Sequence, residues 1–345
     1  MKRILTVYTG GTICCEAGGK MRDLNPELAK RALISNFANG TSVYASLSAE
    51  LFEDSEFENQ TLSENMTLEK LSVIINHIKS FELNNYCGII VMHGTDTLAF
   101  TASLFSFVFS ELDVPLIIVS GNRPPEDALS NANENFKTAV ELIMNRITPN
   151  VYVPYRNSDG KMYVHLGTNI MQCGNFTDDF YGADADKSME VHGSLENALD
   201  NCLAFSKKGV YFDFDKIKGS VLYVTPYTGL DYAKIDLSGI DAVVHGSYHC
   251  GTVCVESDAE NTRYSFLWFA NECEKQGIPV FVAPSKLSSD QYSSVYKLKS
   301  SCKAELLNMT CESAYTKAIV AVSSGFKGNA LTDFMKKEIN FEMID

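Results

Sequence analysis

Cys87-Gly88-Ile89-Ile90-Val91-Met92, running directly into His93-Gly94-Thr95-Asp96-Thr97, decides the reading of this chain. A short, uncharged and continuously apolar run suits a strand covered on both faces. The polar turn that follows leads into a second apolar stretch, Leu98 to Val108, interrupted by Thr101, Ser103 and Ser106. That stretch is too short to span a bilayer and reads as a buried helix. Strand, turn and helix in this order belong to a mostly parallel sheet, in which ligands bind beyond the carboxyl ends of the strands. Residues 93–97 fall at such an end.

The same grammar extends outward. Residues 2–8 form a β-branched apolar run that stops at Thr9-Gly10-Gly11-Thr12-Ile13, a strand entering a glycine turn. Asn25 to Phe37 has helical character, and Thr67 to Phe81 spaces Leu68, Leu71, Ile74, Ile75 and Ile78 by threes and fours. Val114 to Val119 is a strand, Ser120 to Pro125 a loop, and Asp127 to Met144 a long helix. Val151 to Gly167 predicts a hairpin around Ser158-Asp159-Gly160 at the edge of the first domain. Periodicity fades from about Gly182 to Lys208, where a domain boundary is expected. A second alternation follows, with strands at 221–224, 242–245 and 280–283 and helices near 260–275 and 312–320. No internal repeat stands out. The expected fold class is α/β: a larger N-terminal, mostly parallel sheet domain over 1–190, a linker over 191–217, and a smaller, Rossmann-like C-terminal domain over 218–345.

Composition narrows the function. The 345 residues are 45% hydrophobic and 21% charged, a soluble globular balance. Forty-three acidic against 29 basic residues give a net charge of -14, which repels nucleic acid and anionic lipid surfaces. Arg3 to Tyr8 is too short for a signal h-region, so the expected location is the cytoplasm. There the ten scattered cysteines read as reduced thiols. His245, His249, Cys250 and Cys254 cluster in sequence, but their spacing is irregular for zinc, and no metal is expected.

Thr12 sits on a turn whose glycines admit a ligand close to the backbone and leave amides free to stabilise an oxyanion. Neither a dinucleotide fingerprint nor a lysine-bearing phosphate loop is present. Thr95 and Asp96 lie on a neighbouring strand end and point into the same crevice. Two hydroxyls and a carboxylate together supply a nucleophile, a positioned water or base, and an anchor for an ammonium group. The competing reading is helix capping, with Thr95 accepting from helix amides and Asp96 complementing the macrodipole.

Thr9-Gly-Gly-Thr-Ile13 and His93-Gly-Thr-Asp-Thr97, in that order, resemble the paired signatures of the bacterial-type L-asparaginases, and most closely the cytoplasmic type I members. Ser63-Glu64-Asn65-Met66-Thr67 is similar to the family's substrate-binding serine segment. Leu98 to Ser103, Val119 to Pro124 and Asn308 to Lys317 extend the resemblance over nearly the whole chain. It implies a two-domain fold in which Thr12 is the nucleophile and Thr95 the second catalytic threonine. Asp96 is then catalytic and binds the substrate ammonium, Ser63 binds the substrate carboxylate, and Gly11, Glu64 and Gly94 line the substrate site. No cofactor is implied. The partners implied are a small amino-acid amide and further copies of the chain, as a homodimer or homotetramer.

Two departures qualify the match. The family's catalytic lysine aligns with Gln172, whose amide cannot act as a general base; Lys161 and His165 are the alternatives for its role. The lid tyrosine has no counterpart in Ile13 to Leu33, where Lys20, Met21 and Arg22 stand instead. In the second domain, Gly246 to Thr252 resembles the loop that completes a neighbouring subunit's site, with Thr252 in place of asparagine. L-Asparagine hydrolysis is the leading expectation, with glutamine or D-asparagine as other substrates. An amino-acid-binding homologue with weak or absent catalysis is the non-enzymatic alternative. An ammonia-supplying subunit of a tRNA-dependent amidotransferase shares these motifs but is expected to carry an N-terminal extension.

Overall fold

The decisive apolar run is a strand from Tyr86 to Met92 with only Cys87 short of full burial. The computed structural model describes residues 2–16, 18, 23–191, 194–205, 212, 216–256, 262–285 and 292–344. Lys20, Met21 and Arg22 lie outside the described residues, as does part of the stretch 191–217.

The chain divides into Met1–Tyr211 and Phe212–Asp345. In the first unit, β1 (Arg3–Tyr8), β2 (Phe52–Asp54), β3 (Tyr86–Met92), β4 (Leu116–Val119), β5 (Val151–Arg156), β6 (Met162–Leu166) and β7 (Ser188–Glu190) form one sheet. Its order is β2-β1-β3-β4-β5-β6-β7. Pairing is parallel from β2 to β5 and antiparallel from β5 through β6 to β7. β1 and β3 run side by side with Tyr8 opposite Met92, so the turns after them emerge together.

The stretch after β3 is the helix Leu98–Val108, buried except at Phe100. Its phenylalanines Phe105 and Phe107 are fully buried, each contributing about 2–3 kcal/mol of hydrophobic stabilisation. The hydroxyls that interrupt its apolar pattern find acceptors inside: Ser106 donates to the Ala102 carbonyl at 2.7 Å, and Thr101 meets His93 at 3.0 Å. The helix Leu68–Lys79 is capped by Thr67 and turns Leu71, Ile74, Ile75 and Ile78 inward.

Several local expectations are corrected. The helix expected from Asp127 begins at Ala132. Ahead of it Asp127 accepts from the Leu129 amide at 2.9 Å and Ser130 donates to the Arg123 carbonyl at 2.8 Å, a turn that starts after two prolines. The hairpin at 151–167 forms, but β7 pairs outside β6, so the hairpin is not the sheet edge. Within the polar stretch after Gly182, Glu196–Cys202 is helical and buries Ala198 and Cys202.

In the second unit, β8 (Val221–Val224), β9 (Ala242–Gly246), β10 (Val280–Ala283) and β11 (Glu305–Leu306) form a parallel sheet in the order β11-β10-β9-β8. The helix Phe266–Lys275 packs Phe266, Phe269, Ala270 and Cys273 against Val243 and Val282. It starts later than the expected 260, after a single turn at Thr262–Tyr264. Cys311–Ser323 extends past the expected 312–320, and Ser293–Ser301 and Gly328–Lys336 are helices the sequence pattern missed. Lys317, fully buried, donates to Glu342 at 2.6 Å and to the carbonyls of Met335 at 3.0 Å and Lys337 at 2.5 Å. Glu342 also accepts from the amides of Ile339 and Asn340, so the buried pair is satisfied on both sides.

Candidate active site

Three loops of the first unit interlock at the ends of β1 and β3. Thr9 closes β1 onto β3, its amide and its hydroxyl donating to the Met92 carbonyl at 3.0 and 2.7 Å. The Gly11 amide donates to the Thr61 carbonyl at 3.0 Å, and the Thr61 amide to that of Thr9 at 3.0 Å. Gly11 has φ 75°, and a Cβ there would sit 2.1 Å from Gly94 Cα. A Cβ on Gly94 would sit 2.4 Å from Ser63 Cβ. Only glycine fits at either position, because the neighbours are backbone or a buried side chain. Backbone packing therefore brings the turns bearing Thr12, Ser63 and Thr95 to one place.

Ser63, 4% exposed, donates to Asp96 Oδ2 at 2.6 Å and accepts from the Asp96 amide at 3.3 Å. Thr97 Oγ1 donates to the Ser63 carbonyl at 3.1 Å. The capping alternative fails here. Thr97, not Thr95, is the N-cap of the following helix, its hydroxyl is turned to Ser63, and Asp96 precedes the first turn. Thr12 and Thr95 are half-buried and Asp96 is exposed, as expected of groups that meet a ligand. Glu64 follows Ser63 in a single turn, Ser63–Asn65, and is exposed at the rim.

Gln172 donates through Nε2 to the Asp96 carbonyl. It stands on a loop pinned at both ends. Asn169 Nδ2 donates to the Asp184 carbonyl and Asn169 Oδ1 accepts the Asp184 amide, both at 2.9 Å. Asn157 exchanges two hydrogen bonds with the Phe180 backbone, at 2.9 and 3.0 Å. The two alternatives for the lysine role are engaged elsewhere: Lys161 Nζ pairs with Glu190 at 3.1 Å, and His165 Nδ1 meets Ser188 Oγ at 2.8 Å.

His93 is the residue whose part sequence reasoning missed. It is fully buried, with Nδ1 2.7 Å from the Gly94 carbonyl and Nε2 3.0 Å from Thr101 Oγ1. Burial lowers its pKa to about 4, so the ring is neutral at pH 7. A carbonyl only accepts, so Nδ1 carries the hydrogen and Nε2 accepts from Thr101. A histidine at the end of an apolar strand, with a hydroxyl eight residues on in a buried helix, was the available signal.

In the second unit, His245 is likewise fully buried and spends both ring nitrogens, at 2.6 Å from the Gly246 carbonyl and 2.9 Å from Tyr232 Oη. That arrangement leaves it no lone pair for a metal, and among the described residues no three His, Cys, Asp or Glu side chains gather as a metal site. The Gly246–Thr252 loop is a tight turn, with the Tyr248 amide donating to the Thr252 carbonyl at 2.9 Å and Cys250 Sγ 3.0 Å from Thr252 Oγ1.

Fold and site define an α/β protein that gathers hydroxyl and carboxylate groups at adjacent strand ends of a mostly parallel sheet. Residues 3–182 match the family profile "Asparaginase, N-terminal". The chain belongs to the asparaginase family, whose members are amidohydrolases acting on amide C–N bonds. L-Asparaginase I from Vibrio cholerae O1 biovar eltor is similar in structure, with a TM-score of 0.74 at 20% identity over 100% of this chain and 99% of that one. The D subunit of the glutamyl-tRNA(Gln) amidotransferase from Aeropyrum pernix is 26% identical over 92% of this chain and 73% of its own length. The same-named protein from Sulfurisphaera tokodaii is 29% identical over 48% of this chain, which spans only 36% of that relative. No helix among the described residues is long and apolar enough to cross a membrane.

Proposed function

We propose that this chain hydrolyses the side-chain amide of a free amino acid, L-asparagine first, using Thr12 as nucleophile. The observation that carries the reading is the interlock of Gly11, Gly94 and Ser63, which gathers two threonines and the Ser63–Asp96 pair at one strand-end crevice. Thr12 Oγ1 attacks the amide carbon while backbone amides steady the developing oxyanion. The C–N bond breaks and the nitrogen leaves as ammonia, taking up the hydroxyl proton. Water then attacks the ester, releasing L-aspartate and returning a proton to Thr12. Asp96 and Ser63 hold the substrate's ammonium and carboxylate, Thr95 orients the attacking groups, and Gln172 occupies the place of the family lysine. Loss of one member of a catalytic set leaves the contributions of positioning and oxyanion stabilisation, so turnover is slow but real. The working form is a homodimer or homotetramer in the cytoplasm, without a cofactor.

A second reading, favoured by the names of the curated relatives, is release of ammonia from glutamine for a tRNA-dependent amidotransferase. Ammonia release from L-asparagine, L-glutamine and D-asparagine, measured on wild type, Thr12→Ala and Thr95→Ala, separates the readings. The expected result is release from L-asparagine, lowered by at least about 10³-fold in either variant. Preference for glutamine moves the assignment to the second reading. Binding of an amino acid without any release replaces both with the amino-acid-binding homologue.

A further inference from the structure

Glycine at position 94 is required by the close approach of Gly11 and Ser63, yet it leaves the Gly94–Thr95 peptide with no side chain of its own to hold it. Glycine has the widest backbone freedom of any residue, and a peptide that serves a reaction must not rotate. His93 supplies the restraint. From the strand end it reaches over one residue and donates to the Gly94 carbonyl at 2.7 Å, while Thr101, fully buried in the next helix, fixes the far side of the ring. A trans peptide is planar, so its carbonyl and its N–H point in opposite directions. With the Gly94 carbonyl turned to the buried ring, the Thr95 N–H is turned away from it. Among the described residues that N–H donates to no protein group.

We propose that His93 is a positioning residue for the amide chemistry: it holds the Gly94 carbonyl so that the Thr95 N–H is presented to the oxyanion of the reacting amide. The inference rests on the amidohydrolase reading above. Thr101 has a defined part in it. By donating to Nε2 it selects the ring form that carries hydrogen on Nδ1, without which two acceptors would face each other at Gly94. The same arrangement recurs at His245 and Gly246, with Tyr232 in the place of Thr101. A histidine clamping the next carbonyl is thus a device this chain uses to fix a strand-end loop.

The test exploits which atom each replacement keeps. In His93→Asn the side-chain amide nitrogen falls near the Nδ1 position; in His93→Gln it falls near Nε2, and the bond to Gly94 is lost. Positioning predicts that H93N stays within about fivefold of the wild-type kcat. H93Q falls about 10²-fold, the range seen when one oxyanion donor is removed, with KM changed less than about twofold. Thr101→Val, remote from the substrate, lowers kcat about tenfold. A role in packing alone predicts the reverse order, since Gln fills more of the histidine volume than Asn. Equal losses in H93N and H93Q, or greater loss in H93N, overturn the proposal. If H93Q does not fold, Thr101→Val decides, and an unchanged kcat overturns the proposal. If wild type turns over no amide, the parent reading fails and the Thr95 amide resonance in a 15N-labelled protein decides this one. It coincides in wild type and H93N and moves in H93Q if His93 positions it; equal movement in both variants overturns the inference.

Discussion

In both units a parallel strand, flanked on each side, carries the dipeptide His-Gly at its end: His93-Gly94 directly follows β3, and His245-Gly246 closes β9. In both, the buried ring clamps the following carbonyl, at 2.7 and 2.6 Å. What differs is the room beyond. A Cβ on Gly94 would collide with Ser63 at 2.4 Å, whereas one on Gly246 would meet its nearest neighbour, Pro226 Cδ, at 3.2 Å. The first glycine is needed for another loop to approach. The second only begins a turn. The same strand-end device therefore serves a site in one unit and a plain loop geometry in the other, and the deciding factor is what packs against the glycine.

The widest gap between the two should come from the glycines. Gly94→Ala forces Ser63 and Gly11 apart and is expected to reduce amide hydrolysis by more than about 10³-fold. Gly246→Ala is expected to cost no more than about 1 kcal/mol, read as a small shift in urea midpoint, because the proline ring yields by tenths of an ångström. Comparable losses of activity in the two variants would break the comparison. Acid is the next lever. Burial lowers His93 and His245 to about 4 and His165 to about 3, against an unfolded value near 6.5. Below pH 6.5 the unfolded chain takes up protons that these folded rings refuse, so stability falls as pH drops, by about 1.4 kcal/mol per unit for each ring, until the folded values are reached. Among the described residues the first unit holds two rings lowered this far, with His77 also lowered by burial, and the second unit holds one. Hydrogen exchange followed from pH 6.5 to 4.5, corrected for intrinsic rates, should lose protection more steeply over β3 and β6 than over β9. Gln172→Lys is expected to raise kcat for L-asparagine about tenfold, by restoring a group that can exchange a proton beside Asp96. A fall in kcat would show that Gln172 is adapted to its place. The smallest effect belongs to Thr252→Val in the second-unit turn, expected to shift stability by under about 1 kcal/mol, measured by thermal melting.

Much of this was legible along the chain because the signals were long and consistent. Cys87 to Met92 read as a buried strand since no residue in it favours water, and Leu68 to Ile78 read as a helix from its spacing. The short edge strands β2, β7 and β11 were not legible, since two or three residues such as Phe52-Glu53-Asp54 carry no period and form by pairing with a neighbour. Gly328–Lys336 begins with Gly-Asn and turns only Leu331, Phe334 and Met335 inward, too little pattern to announce a helix. For the site, the glycines and threonines were visible as turn chemistry, and the resemblance brought Ser63 to the same place. The part of His93 was hidden because it depends on which ring nitrogen carries hydrogen, a fact set by Thr101 and Gly94 in space. The bond from Gln172 to Asp96 likewise needs the loop pinned by Asn157 and Asn169, asparagines that look like ordinary turn residues in sequence.

The pair of Lys317 and Glu342 has a practical consequence for anyone cutting or tagging this protein. Deleting residues 337–344, which follow the helix Gly328–Lys336, would strip the ammonium of its carboxylate partner and of the Lys337 carbonyl, and would leave a charge sealed inside the second unit. Losing one partner of such a pair costs about 3–5 kcal/mol, comparable to the whole stability of many domains. The segment that follows Lys336 is therefore a fastener, and trimming it is a core mutation.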